Sequence, residues 1–238
     1  SLLHLSYKMS HPIKLFGLRG SVFTRYALMT LEEAGVPYDM QLVPIDQLKS
    51  PEHLARHPFS KMPALQDRDF QLYESRAISR YIASQYDVKG TLYPNEPRQR
   101  ALIEQWISVE QSYFRAAQEI AVELIFSKLF GKQGDEEKAR QATERLKSVL
   151  EVLDQHLSTS TYFVGNQLTL AGNNELYIAL CIMILILHSD IVFMPFTNLL
   201  YSLPDHAKLF NSFKHFERWW RLVSERPTWR NISSQSEF

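Results

Sequence analysis

The chain begins its ordered pattern with a short apolar run, Ile13 to Phe16, closed by Gly17. A run of that length predicts a buried β-strand. From about Ser21 to Ala34 the period changes: Val22, Tyr26 and Met29 fall on one helical face, with Leu28 and Leu31 beside them. Gly35 and Pro37 then follow in the order that ends a helix. Tyr38 to Val43 predicts a second strand, and Pro51 to His57 a short helix whose proline sits in the first turn, where its missing N–H costs nothing. Two short strands, Ala64 to Gln66 and Phe70 to Leu72, flank a turn at Asp67-Arg68-Asp69 and precede a helix from about Glu74 to Tyr86. The order βαβ, connecting helix, ββα predicts a crossover-linked sheet that ends in a hairpin.

Past that point the pattern is helical. Gly90, Pro94 and Pro97 mark residues 89–97 as an interdomain linker, which divides the chain into 11–88 and 98–231. Leu102, Trp106, Val109, Tyr113, Ala117, Ile120 and Leu124 step by three or four and predict one helix. Ala139, Ala142, Leu146, Val149 and Leu153 predict another, after a loop at Gly131 to Gly134. A third contains the apolar run Leu176 to Leu187, and a last one carries Phe213, Phe216, Trp220 and Val223 and stops near Pro227. The apolar run falls short of the roughly 20 residues a membrane helix needs, so it reads as a buried core helix.

Composition narrows the class. The chain has 238 residues, 45% of them apolar, enough to bury a core in two modest domains. Lys plus Arg and Asp plus Glu both number 26, so no net charge draws the chain to nucleic acid or to an anionic membrane. The single cysteine, Cys181, cannot form an internal disulfide, which fits a reducing, cytoplasmic setting. Leu2, Leu3 and Leu5 are too short a cluster for a signal-peptide core. Asn231-Ile232-Ser233 matches a glycosylation acceptor and, without a secretion signal, reads as chance.

Three places carry candidate chemistry. Ser21 opens the first helix, where unpaired N–H groups and partial positive charge favour an anion such as a thiolate. A serine there is equally an ordinary N-cap. Met62-Pro63 precedes the third strand; a tight X-Pro turn there, cis or trans, exposes the Met62 backbone to an extended peptide, or is simply a turn. Glu74-Ser75 opens the next helix, as a helix-start pair or as a grip on an ammonium and a carboxylate. Lys49 and Lys61 are further carboxylate partners. His53 and His57 are four apart, but Leu54 stands where a zinc protease needs glutamate, and no third ligand is visible, so no metal is expected. Gly17-x-x-Gly20 lacks the lysine of a phosphate loop, and Cys181 reads as a small buried side chain rather than a nucleophile.

The order of these signals is more telling than any one of them. Gly20-Ser21-Val22-Phe23-Thr24-Arg25, Lys49-Ser50-Pro51-Glu52, His57-Pro58-Phe59-Ser60-Lys61-Met62-Pro63-Ala64-Leu65 and Tyr73-Glu74-Ser75-Arg76-Ala77-Ile78 together resemble the glutathione transferases, most closely the phi class of plants and fungi. Gln105-Trp106, Tyr162-Phe163-Val164-Gly165, Leu168-Thr169-Leu170-Ala171 and Trp219-Trp220 with Arg226-Pro227-Thr228-Trp229 extend the similarity to nearly all of 13–231. The resemblance implies an α/β thioredoxin-like N-terminal domain that binds glutathione and an all-α C-terminal domain that contributes the electrophile site. It implies a cytoplasmic homodimer that detoxifies small apolar electrophiles, with glutathione as co-substrate and no other cofactor. Carried over, Ser21 would stabilise the thiolate, Met62 beside cis-Pro63 would pair with the cysteinyl unit, Glu74 and Ser75 would hold the γ-glutamyl end, and Lys49 and Lys61 would face the glycyl carboxylate. Leu18, Phe23, Tyr113 and Phe114 are the wall residues expected around the electrophile.

The chain departs from that pattern in three places. Leu48 stands where plant members commonly have His, although Lys61 in place of a common Gln can compensate. Gly172 stands where the family normally has the Asp of a capping box, with Asn173 or Asn174 as later caps. Residues 182–204, which include Phe193, Met194, Pro195 and Phe196, are longer and more apolar than the plant counterpart; they form either a longer core helix and loop or an altered ligand pocket or partner surface. These departures leave an apolar-ligand carrier with little catalysis as the alternative function. The fold also serves as an interaction domain, and a thiol–disulfide exchange enzyme is disfavoured because Ser21 stands where such members have Cys.

Overall fold

β1 (Ile13–Gly17) is the strand from which the N-terminal half is built, and its alternation explains why. Ile13 and Leu15 point to one face of the sheet and are fully buried, while Phe16 points to the other. β1 pairs in parallel with β2 (Tyr38–Leu42) and antiparallel with β3 (Ala64–Asp67), which in turn pairs antiparallel with β4 (Phe70–Tyr73). The sheet order is therefore β2-β1-β3-β4. α1 (Val22–Ala34) and α3 (Ser75–Tyr86) pack against each other and cover the Ile13/Leu15 face. α2 (Pro51–Arg56) lies on the opposite face, where Phe16, Val43 and Ala64 form a small second core under the Arg56 guanidinium, 4.2 Å from the Phe16 ring centre. This is the α/β thioredoxin-like arrangement with a helical second domain. The computed structural model describes residues 11–88, 90–165 and 188–235.

In the N-terminal half the predicted strands and helices agree with the observed ones to within a residue or two, but the helical half differs in several places. The stretch through Leu102 and Leu124 is not one helix. α4 (Pro97–Ser112) ends at Tyr113, α5 (Arg115–Ala121) restarts, and a π-helical turn at Val122–Phe126 leads to a last turn, α6 (Ser127–Leu129). At the break Tyr113 is exposed and Phe114 turns inward, and within α4 Leu102, also expected on the apolar face, is exposed. α7 (Glu136–Leu157) follows its pattern, except that Leu150 rather than Val149 is fully buried. The segment after Phe213 likewise buries Trp219 more deeply than Trp220, and a further helix, Pro227–Ser234, begins at the proline that was expected to end the chain's helices.

Of the segment 182–204, residues 188–204 are described. Phe193, Met194 and Phe196 are buried in the core, with Phe193 stacked on Phe163 at 4.4 Å between ring centres. These buried side chains belong to the core, whereas Ser202 and Pro204 at the end of the segment are exposed. Cys181, Gly172 with its two asparagines, and the run Leu176 to Leu187 lie outside the described residues. Among the described residues no helix is long and apolar enough to cross a membrane.

The two halves share a single core. Buried residues of α1 and α3 are continuous with those of α4, α5, α7 and the C-terminal helices. Ion pairs reinforce the seam: Arg226 grips Glu33 of α1 through two contacts of 2.8 and 2.6 Å, and Arg80 of α3 grips Glu104 of α4 through two of 2.6 Å.

The α6–α7 loop depends on a close backbone approach. A Cβ at Gly134 would stand 1.8 Å from the Glu123 carbonyl oxygen in the π turn, so any side chain forces the backbone apart. Gly134→Ala is expected to destabilise the protein by about 1–3 kcal/mol, the usual cost of overpacking. Thermal unfolding would show a midpoint lower by several degrees, and an unchanged midpoint would contradict this contact.

Candidate active site

A cleft of about 340 Å³ opens at the end of the sheet where β1 hands over to α1. Its lining comes from five separate stretches. Ser21 and Phe23 belong to α1, and Leu48 to the turn before α2. His57, Ser60, Lys61 and Met62 come from the approach to β3, and Glu74, Ser75 and Arg76 from the start of α3. Gln118 of α5 is the C-terminal half's contribution.

The β1–α1 connection places Ser21. At Gly17 a Cβ would come within 2.7 Å of the Thr24 hydroxyl oxygen, so glycine lets the strand end run close under the first turn of α1. The buried Arg25 donates from Nε to the Arg19 carbonyl at 3.0 Å and holds the loop's shape. Ser21 has extended backbone angles, and its Oγ accepts from the Thr24 N–H at 3.4 Å. That is a long, weak cap. A hydroxyl that accepts through a lone pair still has its proton to donate. Capping and anion binding are thus compatible functions of one side chain, and the helix N-terminus adds its partial positive charge.

The second wall is a stretch of exposed backbone. The Met62-Pro63 bond is cis, and Pro63 is buried. His53 of α2 reaches the Lys61 carbonyl with Nε2 at 2.8 Å and ties down the residue before Met62. The third wall is the β4–α3 corner. Glu74 has φ +73°, a conformation that costs a non-glycine residue of order 1–3 kcal/mol. It turns the chain so that Ser75 is buried at the first position of α3, beside first-turn N–H groups that have no partner within the helix.

Arg76 holds that corner to the second domain. Its guanidinium donates from Nε and Nη2 to one oxygen of Glu110 in α4, at 2.8 and 2.5 Å, and the Tyr26 hydroxyl donates to the other oxygen at 3.1 Å. Arg76 also lies over the Tyr26 ring, 5.1 Å from its centre. Glu110 is almost fully buried. Burial alone would lower the Arg76 pKa, but the Glu110 carboxylate outweighs it and holds the guanidinium above its ordinary value. Burial, with Glu110 alongside, pushes the Tyr26 hydroxyl well up, so it remains a neutral donor.

The structure brings together Ser21, Lys61, Met62, Glu74 and Ser75, whereas Pro63 is buried and outside the lining. Lys49 is exposed and not part of the lining. Of the four wall residues expected around an electrophile, only Phe23 lines the cleft, backed edge-on by Phe196 at 5.7 Å. Leu18 is half-buried outside the lining. Tyr113 is 64% exposed, and Phe114 faces the helical core against Phe193, because the chain breaks between α4 and α5. His57, Ser60, Arg76 and Gln118 are lining residues that sequence reasoning did not select. Arg76 stood inside a recognised motif, but nothing in the pattern marked Gln118. Among the described residues no group of three or more His, Cys, Asp and Glu side chains is placed to hold a metal ion.

Removing the charge of Glu110 leaves the largely covered Arg76 without its carboxylate. Breaking one partner of such a pair costs about 3–5 kcal/mol, so Glu110→Gln is expected to lower stability by that order while Tyr26 keeps an acceptor. Urea unfolding measures it; a loss under about 1 kcal/mol would show the pair to be dispensable.

The chain's similarities agree with this geometry. The family model described as glutathione S-transferase, N-terminal domain, matches residues 11–84, and the one described as glutathione S-transferase, C-terminal domain, matches residues 113–186. Glutathione S-transferase F12 of Arabidopsis thaliana is 30% identical over 224 residues, covering 92% of this chain and 96% of that protein. Glutathione S-transferase 1 of Zea mays is 32% identical, covering 94% and 96%. Among solved structures, glutathione transferase F2 from Populus trichocarpa superimposes with a TM-score of 0.82 at 28% identity, covering 94% of this chain and 98% of that one. Maize glutathione S-transferase I in complex with an atrazine glutathione conjugate gives 0.81 at 30%, covering 94% and 97%. The chain therefore belongs to the glutathione S-transferase family, among relatives of the plant phi class.

Proposed function

We propose that the cleft binds glutathione and that the protein conjugates its thiolate to apolar electrophiles. The observation that carries this reading is the convergence of Ser21, the Met62 backbone and Glu74-Ser75 on one cleft from three distant stretches of chain. Met62 pairs with the cysteinyl unit, Glu74 accepts from the γ-glutamyl ammonium, and Ser75 with the N–H groups of α3 takes its carboxylate. Lys61 faces the glycyl carboxylate, with the exposed Lys49 as a more distant counter-charge. Phe23 forms the apolar wall on which the electrophile rests. The same reading includes a homodimer in the cytoplasm, acting in detoxification; the lone cysteine suits a reducing compartment.

Thiol chemistry gives Ser21 its role. A free thiol has a pKa near ~8.5, so only a few per cent is thiolate at neutral pH. A hydrogen bond from the Ser21 hydroxyl, together with the positive end of α1, favours the anion. A shift of roughly two units makes the thiolate the major form, at about 1.4 kcal/mol per unit. The thiolate sulfur then attacks the electrophilic carbon, a C–S bond forms, and the leaving group departs or the added electron pair is protonated.

Ser21→Ala removes a hydrogen bond to a charged group, worth about 1.5–3 kcal/mol, so kcat/KM is expected to fall about ten- to a hundredfold. The thiolate loses its donor, so the acid limb of the pH–rate profile moves to higher pH. Conjugation of a generic aromatic electrophile across pH measures both effects. Undiminished activity in the variant would refute the role of Ser21, whereas tight glutathione binding without turnover in the wild type would favour the carrier.

A further inference from the structure

His57 is an imidazole in the wall of this cleft to which the family resemblance assigns no ligand contact. It stands in the approach to β3, lines the cleft, and is only 2% exposed. Its Nδ1 is buried without a hydrogen-bond partner. The ring packs 4.9 Å from the Tyr73 ring of β4 and near Phe59, with His53 of α2 at 6.4 Å. The charged groups that act on it are Glu74, leading into α3, and Lys61, from its own loop. Burial pushes its pKa below the ordinary histidine value, with Glu74 opposing and His53 and Lys61 reinforcing. The neighbouring lining residue Leu48 offers no polar side-chain atom to a ligand.

A buried, neutral imidazole that faces a cleft for an anionic peptide is poised to change charge when the ligand arrives. Glutathione brings two carboxylates and one ammonium into a space already lined by Lys61, Arg76 and Glu74. Its net negative charge favours the imidazolium over the imidazole at a ring this close to the cleft. We propose that His57 is a proton-linked binding residue: it takes up a proton from solvent as the peptide's carboxylates enter the cleft, and holds the peptide as a cation. This rests on the glutathione reading of the site. The sign follows from linkage. A pKa raised by binding makes affinity greatest at low pH, and the gain is lost as pH rises through the pKa of the complex.

Isothermal titration with S-methylglutathione tests this, because the methylated sulfur has no proton to release. Titrations in two buffers of different ionisation enthalpy report the protons taken up. In the wild type, uptake is expected on the acid side of neutrality, because burial holds the free imidazole below the ordinary histidine value. Affinity should fall about tenfold toward pH 8 for each unit by which binding raises the pKa. In His57→Asn, uptake is expected to vanish and affinity to become flat across the same range. Binding without uptake in the wild type, or uptake that persists in His57→Asn, would overturn the role of His57 and leave the glutathione reading intact. No binding at any pH would remove both. Should His57→Asn fail to fold, histidine ring NMR titrations of the wild type decide the question. One midpoint is expected to rise in the presence of S-methylglutathione, and if none moves the inference is wrong.

Discussion

Glu110 is the point on which the two halves of this molecule depend. It is a carboxylate buried in α4, and its two oxygens serve both helices that cover the sheet, Tyr26 of α1 and Arg76 of α3. A buried charge needs a partner and further hydrogen bonds to be tolerated. Here the Arg76 guanidinium supplies the charge and Tyr26 the additional donor. Because Arg76 directly follows Ser75, the same contact that joins the domains also sets the corner at which Glu74 and Ser75 face the cleft. The C-terminal domain thus helps to shape the Glu74-Ser75 wall of the cleft through Arg76, and adds Gln118 to its lining.

The site is assembled from chain segments that each do a structural job. Ser21 caps α1, and Ser75 begins α3. His53 braces the backbone before Met62. The functional possibilities arise where these jobs leave something over: a hydroxyl proton at Ser21, first-turn N–H groups at Ser75, and an unpaired ring nitrogen at His57. Glu74, with its positive φ, is strained where the chain must turn sharply from β4 into the cleft wall. Elsewhere in the cleft, Phe23, backed by Phe196, is an apolar surface, and Gln118 adds a polar amide from α5.

Local pattern and motif order were sufficient for most of the fold. Period two and period 3.6 were readable in β1, α1, α3 and α7 because each of these elements has one face buried in a single core. The Gly35–Pro37 and Ser50–Pro51 punctuation placed helix ends for the same local reasons. Pattern failed between α4 and α5. There Tyr113 and Ala117 kept helical spacing while the chain broke at Tyr113–Phe114 and later passed into a π turn, which a spacing rule cannot register.

By itself, the sequence determined the order of elements, the two-domain division of character, the family, and the short motifs around Ser21, Met62-Pro63 and Glu74-Ser75. Those are properties of residues close together in the chain. Only the tertiary structure decided which of the remaining residues face the cleft. It excluded Lys49 and Phe114 from the lining, and brought in His57, Arg76 and Gln118. It also joined Glu110 to Tyr26 and Arg76, partners 84 and 34 residues away. The physical reason is that side-chain direction at a long-range contact depends on how two helices rotate against one another. That rotation is fixed by packing across the whole core, not by the spacing of residues within either helix.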